Sequence, residues 1–72
     1  MLSIQVTYCV REERMKQNMT VRDLEAISGI SKTHINAIEN NKTHPTLYSM
    51  LLLASALQVD LSTLYKFRLS HM

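Results

Sequence analysis

Hydrophobic and polar positions change their spacing several times along the chain, and each change predicts an element. From Leu2 to Tyr8 they alternate, with Leu2, Ile4, Val6 and Tyr8 on one side and Ser3, Gln5 and Thr7 on the other. A period of two rich in β-branched residues predicts a short strand, against the rival reading of a first helix that starts early. Cys9 to Gln17 carries the helix formers Arg11, Glu12, Glu13, Arg14, Met15 and Lys16. Val6, Cys9 and Val10 give this segment a narrow apolar face, and Asn18 marks its end.

Thr20 is a good N-cap, and Asp23 three residues later approximates a capping box while placing a negative charge in the first helical turn. Val21, Leu24, Ile27 and Ser28 follow at helical spacing, and Gly29 suits a left-handed terminating position. Ser31 offers a second N-cap, followed by Ile35 and Ile38 at i, i+3, with Asn41 as the terminator. Lys42, Thr43 and His44 form a polar loop, and Pro45 holds His44 extended. Thr46 caps a helix over Leu47 to Gln58 with an expected buried stripe of Leu47, Met50, Leu51, Ala54 and Leu57. Asp60 caps a last short helix containing Leu61, Leu64 and Tyr65. Tyr65, Phe67 and Leu69 then alternate with Lys66 and Arg68, which predicts a second strand pairing with the first.

With 72 residues, 46% of them hydrophobic and 19% charged, the chain reads as one globular domain over positions 1–72. A single Gly and a single Pro argue for helices with short connections rather than a sandwich or barrel. The net charge of +2 is compatible with nucleic acid without requiring it. The uncharged stretch Leu47 to Val59 is shorter than the roughly 20 apolar residues a bilayer span needs. The N-terminus lacks the layout of a signal peptide, so a soluble, cytoplasmic protein is expected.

Catalytic and metal chemistry find no support. His34, His44 and His71 fit no zinc spacing, and Cys9 stands alone, which removes a disulfide framework, a cysteine-based zinc site and a nucleophile signature. The five methionines read as packing. No enzyme, no cofactor and no metal are expected.

The organising feature lies between Thr20 and Glu39, where two short helices are joined by a tight glycine-containing turn. Gly29 lets the backbone reverse, and Leu24, Ile30, Ile35 and Ile38 fix the angle between the helices. From about Val10 to Tyr65 the chain resembles the Cro and phage-repressor-type helix-turn-helix domains, the lambda-repressor-like, XRE-like bacterial regulators. The resemblance rests on Met19-Thr20, Leu24-Glu25, Gly29-Ile30-Ser31, Ile35-Asn36, Ile38-Glu39, Asn41-Lys42, Pro45-Thr46-Leu47, Leu53-Ala54, Ala56-Leu57 and Leu64, in register without gaps. It implies an all-α, compact five-helix bundle with the motif at about 20–39, to which the alternating termini would add short strands. It also implies an ion pair between Arg14 on the first helix and Glu39 at the end of the recognition helix.

The chain departs from the family at several positions. Glu25 stands where a small alanine is usual, Ser28 where leucine is frequent, Val21 for glutamine, Glu13 for leucine and Asn41 for glycine. Ile27 is expected to take over some of the burial lost at Ser28, with a slight rotation of the second helix.

A recognition helix presents its N-terminal residues to base edges in the major groove. Counted from Ser31, the outward residues are Lys32, Thr33, Asn36 and Ala37, the candidate base contacts. Thr20, Arg22, Asn40, Lys42, Thr43, His44 and Tyr48 are the candidate phosphate contacts. One such domain reads few base pairs, so a homodimer on a palindromic operator is expected, with Leu52, Leu61, Tyr65, Phe67 and Leu69 as interface candidates. The expected function is a sequence-specific double-stranded-DNA-binding regulator, read as a repressor. The second reading keeps the fold as an antitoxin-type module that binds a partner protein.

Overall fold

The computed structural model describes residues 1–71. The elements are strand β1 (Leu2–Tyr8), helices α1 (Val10–Lys16), α2 (Val21–Ser28), α3 (Lys32–Glu39) and α4 (Leu47–Leu57), a 3-10 turn (Leu61–Leu64) and strand β2 (Tyr65–His71). Instead of a fifth α-helix there is this single 3-10 turn, and the termini form a sheet, so all-α describes the fold only approximately. The cause is local. Strand alternation begins at Tyr65, directly after Leu64, so the segment has room for one turn. The Asp60 carboxylate accepts from the Ser62 hydroxyl at 2.7 Å rather than from a helical N–H.

Helix starts follow the cap residues. Thr20, Ser31 and Thr46 accept N–H bonds from Asp23, His34 and Ser49 respectively. At α2 the box is complete, because Asp23 Oδ2 also accepts from the Thr20 N–H at 2.9 Å. Hydrogen bonding donated by Thr20, from its backbone N–H first and its hydroxyl second, holds the Asp23 carboxyl below its usual value of 3.8.

Helix ends explain how a chain with one glycine makes its turns. Asn18, Asn41 and Gln58 all adopt positive φ, as does Gly29. After α3 the Asn41 N–H donates to Ile38 O at 3.1 Å and the Lys42 N–H to Ala37 O at 2.9 Å. That pair of bonds is a Schellman motif with asparagine in the position usually given to glycine. The same double closure ends α1, from Asn18 to Met15 O and from Met19 to Arg14 O.

The core consists of Val10, Leu24, Ile30, Ile35, Ile38, Met50, Leu53, Ala54, Leu57 and Leu64. Every helix and the 3-10 turn contributes to it. In α4 the buried stripe is Met50, Leu53, Ala54 and Leu57, while Leu47 and Leu51 are exposed. The stripe is therefore rotated relative to the expectation, which the nearly unbroken apolar run Met50–Ala54 could not resolve by period. In α2 the expected substitution of Ile27 for Ser28 does not occur. Ile27 is 59% exposed, and Ser28 is buried, its hydroxyl accepting from the Ile30 N–H at 3.1 Å. A serine that bonds inside the turn needs no neighbouring residue to replace it.

β1 and β2 pair antiparallel along their whole length, in the register Leu2↔His71, Ile4↔Leu69, Val6↔Phe67 and Tyr8↔Tyr65. This two-stranded ribbon is joined to the globule at its base, where the Cys9 N–H donates to Leu64 O at 2.7 Å. No helix among the described residues is long and apolar enough to cross a membrane.

Candidate nucleic-acid interface

The two helices of the turn are locked together through Gly29 and Ser31. Gly29, at φ 79°, returns its N–H to Glu25 O at 2.9 Å, and Ser31 starts α3 two residues later. Ile35 and Ile38 are fully buried, so α3 has a fixed rotation about its own axis. Lys32 and Thr33 are then exposed and Asn36 and Ala37 half-buried, on the i, i+1, i+4, i+5 face.

The far end of α3 is held by charge. Glu39 has only 2% of its side chain exposed, and its Oε2 and Oε1 accept from Arg14 Nε at 2.8 Å and Arg14 Nη2 at 2.9 Å. Arg14 Nη1 also donates to Met19 O at 2.9 Å, so one guanidinium joins α1, the α1–α2 loop and α3. The hydrogen bond to Glu39 raises the Arg14 pKa further above its ordinary value, with burial opposing it. A paired, hydrogen-bonded buried charge of this kind fixes geometry more than it adds net stability.

Two further residues at this end, Arg11 and Tyr8, make contacts that carry no local sequence signal. Arg11 reaches Glu39 Oε1 at 3.4 Å and donates to Asn40 Oδ1 at 2.9 Å. Tyr8, on β1, donates its backbone N–H to Asn41 Oδ1 at 3.3 Å, and its hydroxyl lies 2.8 Å from His44 Nδ1. Their rings meet edge-on with centroids 6.0 Å apart. Both residues are remote in sequence from their partners, and no local pattern announces such pairs.

The phosphate candidates fall into two groups. Arg22, Lys42 and Tyr48 are exposed and make no side-chain hydrogen bond or ion pair among the described residues. Asn40 is committed internally, its amide accepting from Arg11 and donating to Asn36 O at 2.8 Å. Thr20 has both its N–H and its hydroxyl oxygen in the capping box beside the Asp23 carboxylate. His44 is exposed but tied to Tyr8, and Thr43 is half-buried.

Glu25, a departure from the family pattern, sits at the leading end of α3. Its Oε2 accepts from the Lys32 N–H at 2.8 Å. The i, i+7 spacing across a glycine turn gives no periodic signal from which this bond could be read.

The interface candidates separate. Leu52 and Leu61 are half-buried against the core. Tyr65, Phe67 and Leu69 share one face of the ribbon with Leu2, Ile4, Val6 and Tyr8. Gln5, Thr7, Lys66 and Arg68 face the other way and, with Phe67, line a shallow groove on the sheet. No cluster of three potential metal ligands occurs among the described residues.

Residues 10–64 match a family model described as helix-turn-helix. An uncharacterized HTH-type transcriptional regulator of Sinorhizobium fredii (strain NBRC 101917 / NGR234) is 36% identical over 56 residues, covering 78% of this chain and 29% of that protein. The chain thus spans less than a third of that relative's length. The crystal structure of the restriction-modification controller protein C.AhdI from Aeromonas hydrophila shares the fold, with a TM-score of 0.71 at 24% identity over 74% of this chain and 80% of that one. Both strands lie outside the family-matched segment.

Proposed function

The chain belongs to the helix-turn-helix family, and from that premise we propose that it is a sequence-specific double-stranded-DNA-binding regulator. In this reading it acts as a homodimer on a palindromic operator and represses by occupying it. It catalyses no reaction and needs no cofactor.

The observation that carries the proposal is the outward face of α3, polar at Lys32, Thr33 and Asn36 and set in rotation by Ile35, Ile38 and the Arg14–Glu39 pair. Lys32 can donate to guanine O6 and N7, Asn36 can bond an adenine bidentately, and the Thr33 and Ala37 methyls can meet a thymine methyl. Arg22, Lys42 and Tyr48 supply phosphate contacts that set register and salt dependence.

The homodimer draws its support from the ribbon. Leu2 and Ile4 are each 60% exposed, Phe67 64% and Leu69 48%, all on one face. At roughly 100 Å² per large apolar side chain, this face with Tyr65 offers on the order of 500 Å². Two copies stacked on it would bury about 1,000 Å², the lower bound for a specific interface. The opposite face carries Lys66 and Arg68 with no acidic residue, so it stays in water in such a stack.

The same apolar face favours one alternative, in which a different protein covers the ribbon. A salt titration of DNA binding combined with sedimentation of the free protein separates the two. The regulator reading predicts a dimer and a DNA complex that weakens steeply with salt. A monomer that shows no specific shift, and joins a partner protein in a salt-insensitive complex, would replace it.

A further inference from the structure

The leading end of α3 has two side-chain caps. Ser31 accepts from the His34 N–H at 3.2 Å, as an ordinary N-cap does. Glu25 adds a carboxylate from the neighbouring helix, bonded to the Lys32 N–H at 2.8 Å. Ser31 alone meets the usual capping need, so the second cap calls for its own account.

A carboxylate at a helix N-terminus is held there by the helix dipole and offsets the positive end that would otherwise attract a phosphate. Glu25 is half-buried, and its Oε1 has no partner among the described residues. A fixed negative charge therefore stands beside Lys32, at the end of the helix that enters the groove first. Against DNA of arbitrary sequence, where binding is almost wholly electrostatic, that charge is unfavourable and nothing offsets it. Against a site with an exocyclic amine in reach, such as cytosine N4, the uncommitted oxygen has a donor to accept from.

We propose that Glu25 is a specificity-determining residue, its carboxylate at the tip of the recognition helix weakening binding to non-target DNA more than to the target. The inference rests on α3 being the recognition helix. It is discrimination by a penalty on the wrong partner rather than by added attraction to the right one.

The test selects a duplex from a random pool with the wild-type protein. It then measures wild type, Glu25→Gln and Glu25→Ala on the selected and on random duplexes across salt, with a thermal melt of each variant. Glutamine keeps an acceptor for the Lys32 N–H and removes the charge. Glu25→Gln should fold with a slightly lower melting temperature, bind random duplex about three- to tenfold tighter at low salt, and lower the selected-to-random ratio by about tenfold. Glu25→Ala should relax the ratio similarly and also melt earlier. An unchanged ratio in a well-folded Glu25→Gln would overturn the proposal and leave Glu25 a helix cap. If the wild type enriches no duplex and binds none at low salt, the recognition-helix reading fails, and this inference with it.

Discussion

In the helical globule Val10, Leu24, Ile35, Ile38, Leu53 and Leu64 have no exposed surface, whereas in the ribbon every residue of β2 is exposed and none of β1 is buried. The two regions are comparably apolar on one side, so composition does not separate them. Closure does. Four helices and a 3-10 turn enclose a shared core, while beyond Tyr8, which reaches Asn41 and His44, the two strands have mainly each other, and a lone two-stranded ribbon is marginal in water. The globule encloses its own core and matches the family, and the ribbon asks for a second layer. Mutations should therefore act on stability in the first region and on association in the second.

The largest effects should fall inside the globule. Ile38→Ala, at a fully buried position, should cost roughly 2–5 kcal/mol, measured by denaturant unfolding. Glu39→Ala leaves the Arg14 guanidinium, 13% exposed at its side chain, without its counter-charge, and should cost about 3–5 kcal/mol. A change below about 1 kcal/mol at either site would contradict the closed-core description.

Phe67→Ser should sharpen the contrast from the other side. Phe67 is 64% exposed, so the variant should lose little stability per chain and yet shift the sedimentation equilibrium toward monomer. An unaltered dimer would remove the ribbon face from the interface.

Smaller effects concern the helix ends. Thr20→Ala should cost about 1 kcal/mol through loss of the α2 cap. Its partner Asp23 has a folded pKa held below 3.8 by the Thr20 bonds. A depressed carboxyl contributes stability that is present above the unfolded value and disappears as pH falls through the folded one. Asp23→Asn should therefore lower the melting temperature at about pH 7 and lower it by less at about pH 2. A deficit of equal size at both values would assign the effect to something other than the carboxylate. Gln58→Gly, at φ 56°, should stabilise by up to about 1 kcal/mol, because glycine adopts that conformation without a Cβ penalty.

Much of the globule was legible because its signals are local. Thr20, Ser31 and Thr46 cap the helices that follow them, Gly29 and Asn41 turn where the sequence suggests, and the alternation at each end yields a strand. What was not legible depended on contacts distant in sequence or on patterns without period. The rotation of α4 was hidden by consecutive apolar residues that suit several faces at once. Ser28 looked like a gap in the core, and only the Ile30 N–H beside its hydroxyl accounts for it. The bond from Arg11 to Asn40 has no local signal, because the two lie 29 positions apart. The outward face of α3 was readable, since Ile35 and Ile38 fix which residues can face out. The Glu25 bond that modifies this face was not.

If the outward face of α3 reads DNA, its removal should show in the affinity of Lys32→Ala/Asn36→Ala for a duplex selected by the wild-type protein, measured with a thermal melt alongside. Each good base contact contributes about 1–3 kcal/mol of discrimination, so at least about a tenfold loss of affinity is expected with an unchanged melting temperature. Equal affinity of a well-folded double variant and the wild type on that duplex would contradict it.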